Sequence, residues 1–276
     1  MQPSTYAHLH GRRPRRRGRR KPPRALYPRS QEREYARALL SLLKAAHGLV
    51  EARLLPELQR LQAEAAAVFD LSAVRLDDYA STTARLFDDI RVEYEQTITE
   101  THFEDVAAKA AGQVSTLNRV QVTRQFQSLL SVDVLAYEPW LEPLAKGFVR
   151  ENVALIKSLE TKHFDDIERR VLQTFRSGKR AESLSRQLKE QYGATQKRAM
   201  LIARDQIGKL NGSLTRQRQK ALGVERYIWR TSKDERVRTP HRQREGTEFS
   251  WDEPPEDGHP GEPIQCRCTA DPQIEI

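Results

Sequence analysis

The chain has 276 residues, 31% charged and 38% hydrophobic, with a formal net charge of +9 at pH 7. That is a water-compatible composition with enough chain for one large or two modest domains, and its apolar runs fall far short of the roughly 20 residues a membrane-crossing helix needs. No apolar stretch follows the basic start as an export signal would require, and the two cysteines, Cys266 and Cys268, are too close to form an unstrained bridge, so they are read as reduced thiols.

Charge placement matters more than net charge. Residues 1–29 hold Arg12, Arg13, Arg15, Arg16, Arg17, Arg19, Arg20, Lys21, Arg24 and Arg29 and no acid, so the remainder of the chain is near neutral. This arm lacks hydrophobic periodicity and is predicted to be disordered. One reading is a solubilising tail and another a nuclear-localisation run. A third is a nucleic-acid arm, whose guanidinium groups neutralise phosphates and release counterions without reading sequence. With only Tyr6 and Tyr27 in the arm, stacking on bases is not its main device.

The body reads as mainly α. Tyr35, Leu39, Leu42, Leu43, Ala46, Leu49 and Val50 recur at three- and four-residue spacing in a helix predicted over 30–69, which Pro56 would kink or divide. Further helices are predicted over 76–117 and 118–130. The run Tyr137-Glu138-Pro139-Trp140 then breaks the pattern. Residues 148–175 give the cleanest amphipathic helix, with Val149, Val153, Ile156, Leu159, His163, Ile167, Val171 and Phe175 on one side and Ser177-Gly178 after it. A short helix over 180–192 should stop at Gly193, and another over 196–222 at Gly223. Tyr227 to Thr231 alternates as a strand does, and the rest is rich in Pro, Gly, His and aromatics. The expected fold is therefore long amphipathic helices with a small loop-rich α+β C-terminal domain and a disordered basic N-terminal arm. Its divisions are 1–29, 30–144 and 145–276, the last split into helices 145–222 and an α+β end 223–276.

The C-terminal third carries an ordered series of short stretches. They are Ala203-Arg204-Asp205-Gln206, Trp229-Arg230-Thr231-Ser232, Asp234 to Arg238 with His241, Gly246, Trp251-Asp252, Pro254-Pro255, Gly258-His259-Pro260-Gly261-Glu262 and Cys266-Arg267-Cys268, with Asn152 and Leu155-Ile156-Lys157 upstream. In this order and spacing they resemble the bacteriophage Mu F-like head morphogenesis family over roughly residues 145–273. The resemblance implies a minor capsid protein acting near the portal during procapsid assembly. Its implied partners are the portal and major capsid proteins, and double-stranded DNA through the arm. The implied locations are the virion interior and, during assembly, the host cytoplasm. It implies no catalytic activity, and the short apolar runs leave no membrane partner expected. The chain departs from many relatives where they place a histidine three residues before the Cys-Arg-Cys; here that position is Pro263.

The residues themselves offer one metal candidate. His241, His259, Cys266 and Cys268 would supply two nitrogens and two sulfurs to zinc, although one residue between the cysteines is tighter than the usual spacing. The alternative is two ordinary thiols in a turn and two hydrogen-bonded histidines. Asp234, Glu235, Arg236 and Arg238 form a charged cluster. It is either a surface that contacts a portal or capsid subunit, or an internal network in which Asp234 or Glu235 holds Arg267 or Arg204. Asp234 beside His241 would instead orient that ring. Trp229 and Trp251 are expected in the small domain's core. Asp234, Glu235, His241 and His259 also include the residue types of a metal-dependent nuclease, and a DNA-binding protein using only the arm is a further alternative.

Overall fold

The computed structural model of the chain describes residues 22–67, 76–130, 137–176 and 181–274. The fold is mainly α-helical with a small β-containing C-terminal region. The helices are α1 (Arg29–Ala67), α2 (Leu76–Thr97), α3 (Glu100–Leu130), α4 (Leu141–Arg176), α5 (Ala181–Ala221) and α6 (Thr239–Gln243). The strands are β1 (Arg226–Arg230), β2 (Glu248–Ser250) and β3 (Thr269–Gln273). The arm residues Arg12, Arg13, Arg15, Arg16, Arg17, Arg19, Arg20 and Lys21 lie outside the described residues, as does Gly178.

Several helix boundaries differ from expectation. Helix α1 runs through Pro56 without dividing, and α5 runs through Gly193, where the short helix was expected to stop. A Cβ at Gly193 would meet nothing within 4 Å, so no packing contact calls for glycine there. The helix expected over 76–117 is instead broken at Ile98-Thr99. Thr99 caps α3: its carbonyl accepts the His102 N–H at 3.0 Å, and the His102 Nδ1 accepts the Thr99 N–H at 3.1 Å. This is half of a capping box, with histidine in the place of glutamate: the side chain at N3 caps the Thr99 N–H, while the His102 N–H is met by backbone and not by the Thr99 hydroxyl. Helix α4 begins at Leu141, with Pro143 in its first turn, where a missing N–H costs nothing. Gly223 does end α5. At φ 77° its N–H reaches the Lys220 carbonyl at 3.0 Å, and the Val224 N–H reaches the Gln219 carbonyl at 2.9 Å. That is a Schellman stop, and the Val224 side chain completes it by packing on Val122 and Phe126.

The chain packs as two units that cut across its linear order. One takes Tyr35–Ala107 and Arg150–Ile202; the other takes the chain up to Glu34, Ala108–Val149 and Ala203–Ile276. In the first, Ala46, Val50, Leu54, Leu58, Phe87, Ile90, Phe164, Ile167, Val171, Leu184 and Leu188 bury one apolar core from α1, α2, α4 and α5. The expected stripe of α4 is thus largely realised. His163 joins it, fully buried, with its Nδ1 3.2 Å from the Thr195 hydroxyl.

In the second unit β1 is the centre of an antiparallel sheet ordered β2-β1-β3. Tyr227 pairs with Phe249 and Pro272, and Trp229 with Ala270. The alternation read from sequence holds: Tyr227 and Trp229 point into a core shared with Trp251, Cys266, Cys268 and Ala270.

Residues 22–28, expected in the disordered arm, form a segment without regular secondary structure that bonds to this sheet. The Ala25 N–H donates to Asp271 Oδ1 at 2.9 Å, and the Thr269 hydroxyl donates to the Ala25 carbonyl at 3.2 Å. The Arg24 guanidinium donates to the Thr231 carbonyl at 2.7 Å and lies 3.3 Å from Glu245. Arg24, read as an arm residue for nucleic acid, thus tethers the fold. Its guanidinium is engaged by a buried carbonyl that no sequence pattern announces.

Candidate metal centre

Two residue types make the centre: sulfur from the Cys266-Arg267-Cys268 approach to β3 and nitrogen from α6. Helix α6 is five residues long, with Pro240 in its first turn. Its one buried residue is His241, 3% exposed. His241 Nδ1 lies 3.6 Å from Cys266 Sγ and 3.5 Å from Cys268 Sγ, and the three ligand atoms all fall within 4.8 Å of one another. Both cysteines are free and buried. This group can coordinate a metal ion.

The fourth sequence candidate does not join it. His259 is buried, but its Nδ1 is 3.0 Å from the Tyr227 hydroxyl, and its ring packs at 5.0 Å on Trp251 and 5.6 Å on Tyr227. The reason is the turn that carries it. Gly258 and Gly261 adopt φ values of 96° and 97°, and Glu262 Oε2 accepts the His259 N–H at 2.7 Å. This closed turn aims the imidazole into the aromatic core instead of at the sulfurs.

A carboxylate does stand behind His241, but it is Asp257, not Asp234. Asp257 Oδ2 lies 2.8 Å from His241 Nε2, and its other oxygen accepts from Arg244, whose guanidinium lies over the Trp229 ring at 5.1 Å. Asp234 instead receives Arg267 through two nitrogens at 2.8 and 2.7 Å, with Arg29 at 3.6 Å. The internal-network reading of this cluster therefore holds for Asp234 and Arg267, while Arg204 pairs with Glu32 at 3.1 Å. Arg238 donates to the Ile264 carbonyl at 2.6 Å, and the Arg236 N–H donates to Asp234 at 3.1 Å. Both bonds shape the loop between β1 and the metal ligands. Sequence reasoning missed Asp257 because it sits in a Pro- and acid-rich loop with no periodicity to mark it.

Electrostatics follow from this geometry. A hydrogen bond from Cys268 holds the Cys266 thiol below its usual range against burial, with help from His241. Cys268 is pushed up by donating that hydrogen bond and by burial. His241 is raised by Cys266, against burial, and raised further by Asp257. Burial acts to raise Asp257, but Arg244 and His241 outweigh it and hold the carboxyl below its usual range. The line Cys266–His241–Asp257 would also suit a nucleophile. However, Cys266 is only 5% exposed, and neither principal cleft among the described residues, of about 480 and 630 Å³, is lined by it or by His241. An ion needs less room than a substrate.

Helix α5 holds the sulfur turn in place. Asp205 Oδ1 accepts the Gln265 N–H at 2.8 Å, where Gln265 takes φ 57°. Gln219 receives the Trp251 indole N–H at 3.1 Å and donates to the Ala270 carbonyl at 3.0 Å. A Cβ on Gly208 would stand 2.6 Å from the Cys266 carbonyl oxygen, and one on Gly212 would collide with the Pro260 carbonyl. These glycines form a smooth face on which the turn lies. Gly208→Ala should therefore cost about 1–3 kcal/mol in urea unfolding and alter the near-ultraviolet dichroism of Trp229 and Trp251. Gly193→Ala, on a helix position with open space, should stabilise by about 0.5–1 kcal/mol. Equal effects of the two changes would refute the close-packing account.

Comparison with known proteins agrees with the resemblance. Residues 165–271 match the family described as Phage Mu protein F like protein. An uncharacterized protein of Haemophilus influenzae is 30% identical over 201 residues, covering 71% of this chain. The chain spans 45% of that relative's length. No solved structure matches. The matched region runs from within α4 to β3 and contains all three metal-site residues, Asp257 and both close-packed glycines.

Proposed function

We propose, from the premise that residues 165–271 carry a Phage Mu protein F like region, that this chain is a non-enzymatic minor head protein. It joins procapsids near the portal and touches packaged DNA. The family match is the observation that carries the reading. The charge distribution supports it: the basic arm supplies sequence-independent phosphate contacts and the body is near neutral. Among the described residues no helix is long and apolar enough to cross a membrane. The portal and the major capsid protein are the partners this reading requires.

The decisive measurement is mass spectrometry of gradient-purified heads, scaled to the major capsid protein. A few copies per head are expected, and absence from both procapsids and mature heads would overturn the assembly role. The DNA contact has its own test. Replacing Arg12, Arg13, Arg15, Arg16, Arg17, Arg19 and Arg20 with Gln in the full chain should flatten the salt dependence of duplex binding. Each lost phosphate contact lowers the log–log slope by about 0.9. Substitution is a cleaner test than deletion through residue 29, which would also remove the Arg24 and Ala25 tethers. Unchanged binding would refute the arm's role.

A further inference from the structure

We propose that the C-terminal unit holds a zinc ion with Cys266 Sγ, Cys268 Sγ and His241 Nδ1 as its three protein ligands. Asp257 fixes the imidazole from behind. This goes beyond the assembly role and stands whether or not the chain enters heads.

The distances fit the ion. Zinc–sulfur bonds of about 2.3 Å and zinc–nitrogen bonds of about 2.0–2.1 Å at tetrahedral angles separate nitrogen from sulfur by about 3.6 Å. The observed separations are 3.6 and 3.5 Å. The donor set fits as well. Two sulfurs and an imidazole suit zinc, while magnesium and calcium want oxygen. The His241–Asp257 contact at 2.8 Å is the outer carboxylate that sets which ring nitrogen faces the metal.

Trp229 supplies an independent indication. Its ring is fully buried, and its Nε1 has no hydrogen-bond partner in the protein, a costly state for an indole N–H. Its neighbours in the same buried core are Cys266 and Cys268. A metal-bound thiolate is the acceptor that would satisfy that N–H. His259 stays outside the ligand set because its turn points it at Tyr227, and among the described residues no other His, Cys, Asp or Glu completes the group.

The metal's role is to fasten. The sheet has strands of five, three and five residues, and α6 lacks a side-chain cap. So little regular structure gains from a cross-link that joins α6 to the start of β3 and closes the long loop between them.

The test is metal analysis of the full chain purified without chelator, followed by cobalt(II) titration of the metal-stripped protein. One zinc per chain and a thiolate-to-cobalt charge-transfer band are expected. Cys266→Ser with Cys268→Ser should abolish both, and His259→Ala should leave both unchanged. Asp257→Asn should keep the stoichiometry and weaken zinc binding about 10–100-fold. The cobalt band on the unmutated chain needs no variant to fold. No zinc and no band, or zinc retained in the double serine variant, would overturn the proposal. Loss of zinc in His259→Ala would overturn the ligand set, and unaltered affinity in Asp257→Asn would overturn the role given to that carboxylate.

Discussion

Glu138→Ala should destabilise the protein by about 3–5 kcal/mol, because it strands a buried charge. Arg218 on α5 is fully buried. Its Nε and Nη2 donate to the two oxygens of Glu138 at 2.6 and 3.2 Å, its Nη1 to the Ser115 carbonyl at 2.9 Å and Asn118 Oδ1 at 2.8 Å, and its Nη2 also to the Ser115 hydroxyl at 3.0 Å. Trp140 lies 5.8 Å from the guanidinium. The two Asn118 amide protons reach Asn211 Oδ1 at 2.9 Å and the Thr215 hydroxyl at 2.7 Å. The network ties α3 and α5 to the Glu138 segment. Removing the carboxylate leaves the guanidinium without its counter-charge where water cannot replace it. Replacing both partners, with Glu138→Leu and Arg218→Met, should recover most of the loss, since two apolar side chains of similar bulk need no partners. Glu142→Ala, which breaks an exposed pair with Lys146, should leave the unfolding midpoint unchanged. A Glu138→Ala midpoint equal to that of Glu142→Ala would refute this account.

Glu160→Gln should stabilise the protein at pH 8 and leave it unchanged near pH 4. Glu160 is 6% exposed, and burial raises its carboxyl to about 7 even though the Tyr94 hydroxyl, which donates to it, works in the other direction. The unfolded chain ionises near 4.5, so this group's contribution is fully present below that pH and is lost as pH rises through 7. The loss is on the order of 3 kcal/mol at pH 8. A neutral amide keeps an acceptor for Tyr94 and removes the cost of burying charge.

His163 runs the other way. Burial first, then His47, lowers it to about 4, with Asp166 opposing, so its contribution is present above 6.5 and is lost as pH falls through 4. The two slopes oppose each other between about 4.5 and 6.5 and flatten the native profile. In Glu160→Gln the opposing Glu160 slope is gone, and stability should rise more steeply from pH 4 to 6.5 than in the unaltered protein. Urea unfolding across pH 4–8 reads this directly, and a constant gap between the two proteins at every pH would sink it.

Periodicity in the sequence determined that these stretches are helical and that β1 is a strand, though not where α2, α3 and α5 begin and end, because burial at three- and four-residue or alternate spacing leaves a mark in one dimension. The ordered short stretches from Ala203 to Cys268 pointed to the family, and three of the four proposed metal ligands do converge. Their spacing could not say that His259 would face Tyr227, because that depends on a turn closed by Glu262 and two glycines at positive φ.

Only the tertiary structure decided the rest. It brought Asp257 behind His241 across 16 positions and Arg24 onto Glu245 across 221. It also made Glu138, in a segment that read as a break, the partner of the fully buried Arg218. A buried charge must find its counter-charge wherever the chain returns, and the distance along the sequence carries no record of that return.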